Sequence, residues 1–157
     1  VTAQIIYISW PNRWICWMTK PLLRSLLLSA SLLCSFPAMA ENDSTALNSK
    51  LSVAGQMTAD KFSTLLKQHH FKSVIVNRPD QEQGNTVTVN ELRNIAEKSQ
   101  VSVIYQPVIS GKISQTDIIE FAKYYQELPK PILMICKSGS RSAALFNQAK
   151  AQGLLHE

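Results

Sequence analysis

From Leu51 onward, apolar and polar positions alternate between a period of two and a period of three to four. Leu51-Ser52-Val53-Ala54 has the make-up of a short strand, and Gly55 ends it. Thr58 then offers a cap to a helix with Phe62, Leu65, Leu66 and His69 on one face, spaced i, i+3, i+4, i+7. Residues 73–77 form a β-branched run, closed by Arg78-Pro79-Asp80 and by a turn at Gly84-Asn85. A second helix is expected over 90–99, with Leu92, Ile95 and Ala96 inward. The next strand, 101–105, is stopped by Pro107. Ser114 opens a helix whose stripe is Ile118, Phe121, Ala122 and Tyr125. Residues 131–135 are apolar without a break, as in a strand covered on both faces. A last helix is expected to start near Arg141 and to end at Gly153.

Strands that alternate with helices are joined by right-handed crossovers. The pattern therefore predicts an α/β fold of three layers, a mainly parallel sheet of four to five strands between flanking helices. In such sheets ligands bind beyond the carboxyl ends of the strands. Three strand ends become candidates for one site: Asn77-Arg78, Gln106-Pro107 and Cys136.

Length and charge narrow the picture. A chain of 157 residues suits one ordinary domain. Its net charge of +5 suggests a polyanion partner only until the charges are located. Arg13, Lys20 and Arg24 lie in the first forty residues, so 13 basic and 11 acidic residues remain from Glu41 onward. That near balance argues against nucleic acid as a partner. The first forty residues follow other rules. Residues 18–40 carry a basic start, an apolar run over 26–36 and a Pro37-Ala38-Met39-Ala40 exit, the make-up of a secretory signal peptide cleaved after Ala40. The run is shorter than the ~20 residues that span a bilayer, so no stable membrane anchor is expected. Residues 1–17 are expected to lie upstream of a true start at Met18, residues 41–50 to be a flexible leader, and 51–157 to be the folded domain. A periplasmic or secreted location follows from this reading. Export also removes Cys16 and Cys34 and leaves Cys136 as the single thiol, which in an oxidising compartment points to intermolecular pairing or a reactive role.

The neighbours of Cys136 favour reactivity. Cys136-Lys137-Ser138-Gly139-Ser140-Arg141-Ser142 joins the buried strand to the last helix. Successive backbone N–H groups in such a turn converge on an anion, and the helix N-terminus adds its positive end. Gly139 permits a backbone angle closed to other residues, and Arg141 is suited to grip two oxygens of a phosphate-like group. The same donors would lower the thiol pKa of Cys136. With one cysteine left and no spaced histidine pair, no metal site and no cofactor are expected.

This loop resembles those of cysteine-dependent phosphatases and of rhodanese sulfurtransferases. Four residues separate Cys136 from Arg141, the rhodanese count, where tyrosine phosphatases of the usual kind have five. Gly55-Gln56, the stretch over 71–82 and Tyr105-Gln106-Pro107-Val108 resemble the beta-lactamase hydrolase-like phosphatase family over roughly 53–153, and the His-Ile-Pro-Gly-Ala type segment of rhodanese domains is missing. The resemblance implies that Cys136 attacks a phosphate ester or phosphoprotein and that Arg141 grips the phosphate. Lys137, Ser138, Gly139, Ser140 and Ser142 would complete the binding loop. A general acid is expected of such phosphatases, with Asp80, Glu82 and Asp117 as candidates, although Ser114-x-x-Asp117 also fits a capping box. A Cys136 persulfide carrier and an anion-binding module without catalysis remain alternatives.

Overall fold

The computed structural model describes residues 43–156; the leader and start-site expectations for residues 1–40 fall outside them. Five strands form one sheet: β1 (Thr45–Asn48), β2 (Leu51–Ala54), β3 (Ser73–Val76), β4 (Ser102–Tyr105) and β5 (Ile132–Ile135). Their order is β1-β2-β5-β3-β4, with β1 antiparallel to β2 and every other pair parallel. The helices are α1 (Ala59–His69), α2 (Val89–Glu97), α3 (Gln115–Glu127) and α4 (Ser140–Ala151). The α/β expectation holds.

Strand β1 corrects one reading. Thr45–Asn48 lies in the stretch expected to be a flexible leader, yet it pairs with the outer edge of β2. Its residues are exposed or half-buried, so little local apolar signal announces it; the open edge of β2 supplies the hydrogen bonds that order it.

The strand period of two divides the core into two slabs. Ala54, Val74, Val76, Leu133 and Ile135 face Phe62, Leu65 and Leu66 of α1 and Val89, Leu92 and Ala96 of α2. Leu51, Val53, Ile75, Ile132 and Met134 face Ile118, Phe121 and Tyr125 of α3 and Leu145, Phe146 and Ala149 of α4. This assignment of helices follows from handedness. The chain runs outward from β2 to β3 to β4 with α1 and α2 on one face. It then turns back to insert β5 between β2 and β3, and a right-handed connection in the reverse direction puts α3 on the other face. Every residue of β5 is buried, as its unbroken apolar run predicts.

Two helix faces differ in detail from expectation. His69 is exposed, so the buried stripe of α1 ends at Leu66 and the imidazole packs on Phe71, with ring centroids 5.8 Å apart. Ile95 is half-buried, while Leu92 and Ala96 are fully inside.

Candidate active site

The carboxyl end of β5 is the centre of the sheet, and Cys136 is the first residue beyond it. Both neighbouring strands fasten the turn that follows. On the β2 side, Cys136 N donates to Ala54 O at 3.2 Å, and Gln56 N donates to Lys137 O at 3.1 Å. Gly55 lies so close that a Cβ there would sit 3.3 Å from Lys137 O. On the β3 side, Asn77 N donates to Ile135 O at 2.8 Å. Gly139 adopts φ +86°, a left-handed conformation that strains any residue with a side chain.

Helix α4 starts at Ser140 without a side-chain cap, whereas Thr58, Thr88 and Ser114 cap α1, α2 and α3. The free N–H groups of its first turn are turned to another use. Gly139 N donates to Cys136 Sγ at 3.1 Å. Burial pushes the Cys136 thiol up. The N–H and hydroxyl of Ser142, with the N–H groups of Ser138 and Arg141, outweigh it and hold the thiol below its ordinary value. A thiolate here is stabilised as an anion at a helix N-terminus.

Arg141 reaches across the other two strand ends. Its Nη1 donates to Asn77 O at 3.1 Å and to Val108 O at 2.8 Å, and its Nη2 meets Glu82 Oε2 at 2.7 Å. Its Nε is buried without a hydrogen-bond partner. The guanidinium is thus more heavily committed than the expected two-oxygen grip supposes. Arg78, itself buried, lies on the other oxygen of Glu82, with Nε 3.5 Å from Oε1, and its Nη2 donates to Gln83 O at 3.0 Å.

The remaining candidates separate clearly. Gly139 and Ser142 are buried beside the thiol, while Lys137, Ser138 and Ser140 are exposed at the rim; the hydroxyls of Ser138 and Ser140 are 2.9 Å apart. Asp80 Oδ1 accepts from Val89 N at 2.9 Å, which fixes the start of α2. Asp117 Oδ2 accepts from the N–H and hydroxyl of Ser114 at 2.8 and 2.7 Å, the capping-box geometry. Glu82 alone of the three reaches the loop, and it does so as the counter-ion of Arg141.

The sequence reading named the three strand ends but gave no role to Asn77 or Gln106. Both are fully buried polar side chains at the meeting point. Their signal was position: each is the first residue after a strand.

A mainly parallel sheet with a cysteine loop on its central strand end, running into an uncapped helix with an arginine in the first turn, defines the cysteine-phosphatase class of fold. Over residues 43–153 the chain matches the family described as beta-lactamase hydrolase-like protein, phosphatase-like domain, and it belongs to that family. Beta-lactamase hydrolase-like proteins of Xylella fastidiosa strain Temecula1 and Agrobacterium fabrum are 28% and 30% identical to it over 100 residues. Each match takes in 64% of this chain but only 23% of the relative, so the chain spans about a quarter of their length. Among solved structures, a candidate phosphatase from Neisseria meningitidis is 25% identical with a TM-score of 0.59, covering 68% of this chain and 75% of that one. The core catalytic domain of the PP-IP phosphatase SIW14 from S. cerevisiae shares the fold at 15% identity and a TM-score of 0.57, covering 70% and 66%.

Proposed function

We propose that the chain is a cysteine-dependent phosphatase acting on phosphate esters or phosphoproteins, with Cys136 as nucleophile. One observation carries this: a buried thiol at the end of the central strand, held below its ordinary pKa by the N–H groups of an uncapped helix. In this reading the Cys136 thiolate attacks phosphorus; the S–P bond forms as the P–O bond to the leaving group breaks. The loop N–H groups and Arg141 Nε hold the phosphoryl oxygens as charge develops on them. Water then cleaves the S–P bond, releasing phosphate and restoring the thiolate. The leaving oxygen takes its proton from solvent, because Asp80 and Asp117 are bound into helix starts and Glu82 holds Arg141. The leader at residues 18–40 exports the domain in the same reading.

A second reading is favoured by the four-residue spacing and by those committed carboxylates. In sulfur transfer the Cys136 thiolate takes the outer sulfur of thiosulfate, forming a persulfide and releasing sulfite, and cyanide then accepts that sulfur. No step needs an acid to protonate a leaving group. The test is hydrolysis of p-nitrophenyl phosphate beside thiosulfate-to-cyanide transfer, under reducing conditions, with Cys136→Ser as control. Phosphate release that vanishes in the variant is the expected result. Thiocyanate without phosphate overturns it in favour of sulfur transfer, and silence in both assays leaves an anion-binding module.

A further inference from the structure

Behind the thiol runs a chain of buried polar side chains that neither reaction uses. Ser142 Oγ donates to Asn77 Oδ1 at 2.9 Å. Asn77 Nδ2 donates to Gln106 O at 3.2 Å and to Gln106 Oε1 at 3.4 Å. Gln106 Nε2 donates to the backbone carbonyl of Asp117 at 2.9 Å. Ser142 and Asn77 are 0% exposed and Gln106 2%, so these groups are closed off from bulk solvent. The order of the bonds is forced from one end. The Asp117 carbonyl can only accept, which turns the Gln106 amide so that its oxygen faces Asn77. That oxygen and the Gln106 backbone carbonyl together draw the Asn77 Nδ2 and leave Oδ1 facing Ser142. A hydroxyl has one proton. Ser142 therefore stands between two acceptors, the Asn77 amide oxygen, which holds the proton while sulfur is neutral, and the Cys136 sulfur, which draws it when charged.

We propose that Asn77 and Gln106 are positioning residues that compete with the Cys136 thiolate for the Ser142 hydroxyl proton, and so keep the sulfur less stabilised and more nucleophilic than the loop alone would make it. The inference rests on Cys136 being the nucleophile, whichever group it accepts. When sulfur carries charge, the hydroxyl can swing from Asn77 to Sγ; when sulfur is bonded to substrate, the amide takes the proton back. Asn77 also anchors the loop through its backbone, by N–H to Ile135 O and by carbonyl to Arg141 Nη1, and side-chain substitutions leave those bonds in place. The charged groups of the surrounding elements are Arg141 on α4, Lys137 in the loop, and Arg78 and Glu82 beyond β3. The β2 end contributes the uncharged Ala54 and Gly55, and the β4 end the uncharged Gln106. Neutral substitutions at Asn77 and Gln106 alter none of these charges.

The experiment follows thiolate absorbance against pH in the full chain carrying Cys16→Ser and Cys34→Ser, so that Cys136 is the one thiol. Asn77→Leu removes the competing acceptor. The Ser142 proton then passes to sulfur, and the thiolate-to-thiol ratio at a given pH should increase roughly tenfold, as for one hydrogen bond to a charged group. In a Ser142→Ala background the same substitution should change nothing, a result that a merely structural role would not produce. Gln106→Met, remote from the sulfur, removes one of the two oxygens that hold Asn77 Nδ2 while the Gln106 backbone carbonyl stays in place, and should shift the curve the same way by a smaller amount. It keeps the test valid where Asn77→Leu does not fold. An unchanged curve in both variants, or a shift that persists without the Ser142 hydroxyl, overturns the proposal. A Cys136 that shows no thiolate below the range of an ordinary cysteine overturns instead the nucleophile reading on which it rests.

Discussion

At Glu82 one side chain decides how the loop is charged. Its two carboxylate oxygens lie on Arg141 and Arg78, both almost fully buried, so it is the shared counter-ion of two cations. Glu82→Gln leaves both guanidinium groups without it, and removing one partner of a buried ion pair costs about 3–5 kcal/mol at most. Glu82 is partly exposed, so a loss of about 1–3 kcal/mol in urea denaturation is expected. Turnover should fall with it, but the pH profile of kcat should keep its shape; a lost basic limb would make Glu82 the proton donor after all. Cys136 carries a second residue-scale consequence. Its pKa is lowered on folding, so its contribution to stability is present in full above the unfolded thiol value of ~8.5 and fades as pH falls through the folded one. The stability gap between the wild type and Cys136→Ser should therefore widen from neutral toward alkaline pH, measured by urea denaturation under reductant. A gap independent of pH would show that the loop donors do not favour the thiolate.

The helix starts divide into two kinds, and this division explains what the sequence could and could not reveal. Thr58 and Ser114 announce α1 and α3 because capping is local: a side chain three residues upstream satisfies an N–H group of the first turn, and Thr88, which the sequence reading did not name, caps α2 in the same way. Asp117 belongs to this group, and Asp117→Asn should cost about 1 kcal/mol of stability while leaving kcat unchanged, since the carboxylate serves Ser114. A fall in kcat larger than tenfold would return it to the candidate acids. The start of α4 is of the other kind. Its uncapped donors point to the Cys136 sulfur, and the legible sign was the coincidence of cysteine, glycine and arginine between a buried strand and a helix. What could not be read depends on distant partners. Strand β1 exists through the edge of β2, the buried stripe of α1 stops short of His69, and Arg141 spends its Nη1 on carbonyls 64 and 33 residues away. No local pattern encodes a hydrogen bond to a carbonyl in another loop.

At the scale of the whole molecule, the site exists because the last strand in the sequence is the middle strand in space. The site needs Asn77 after β3, Val108 in the loop beyond β4 and Gly55 after β2, and β5 is the strand that joins β2 to β3. Without β5 the sheet would fall into two unconnected pairs, β1-β2 and β3-β4, with nothing to hold the loop between them. Sheet and site should therefore be lost in one step. Leu133, 0% exposed in β5 and packed against α1 and α2, is the place to test this. Leu133→Ala should cost about 2–5 kcal/mol, the usual toll for a buried leucine side chain. Its denaturation midpoint by far-ultraviolet circular dichroism should move together with the midpoint at which Cys136 loses its distinctive reactivity toward alkylation. If the thiol changes at a lower denaturant concentration than the sheet, the loop opens on its own, and its stability comes from the local bonds to Ala54, Gln56 and Gly139. Coincident midpoints would mean that the low-pKa cysteine is a property of the assembled sheet, reached when β5 is seated between its two neighbours.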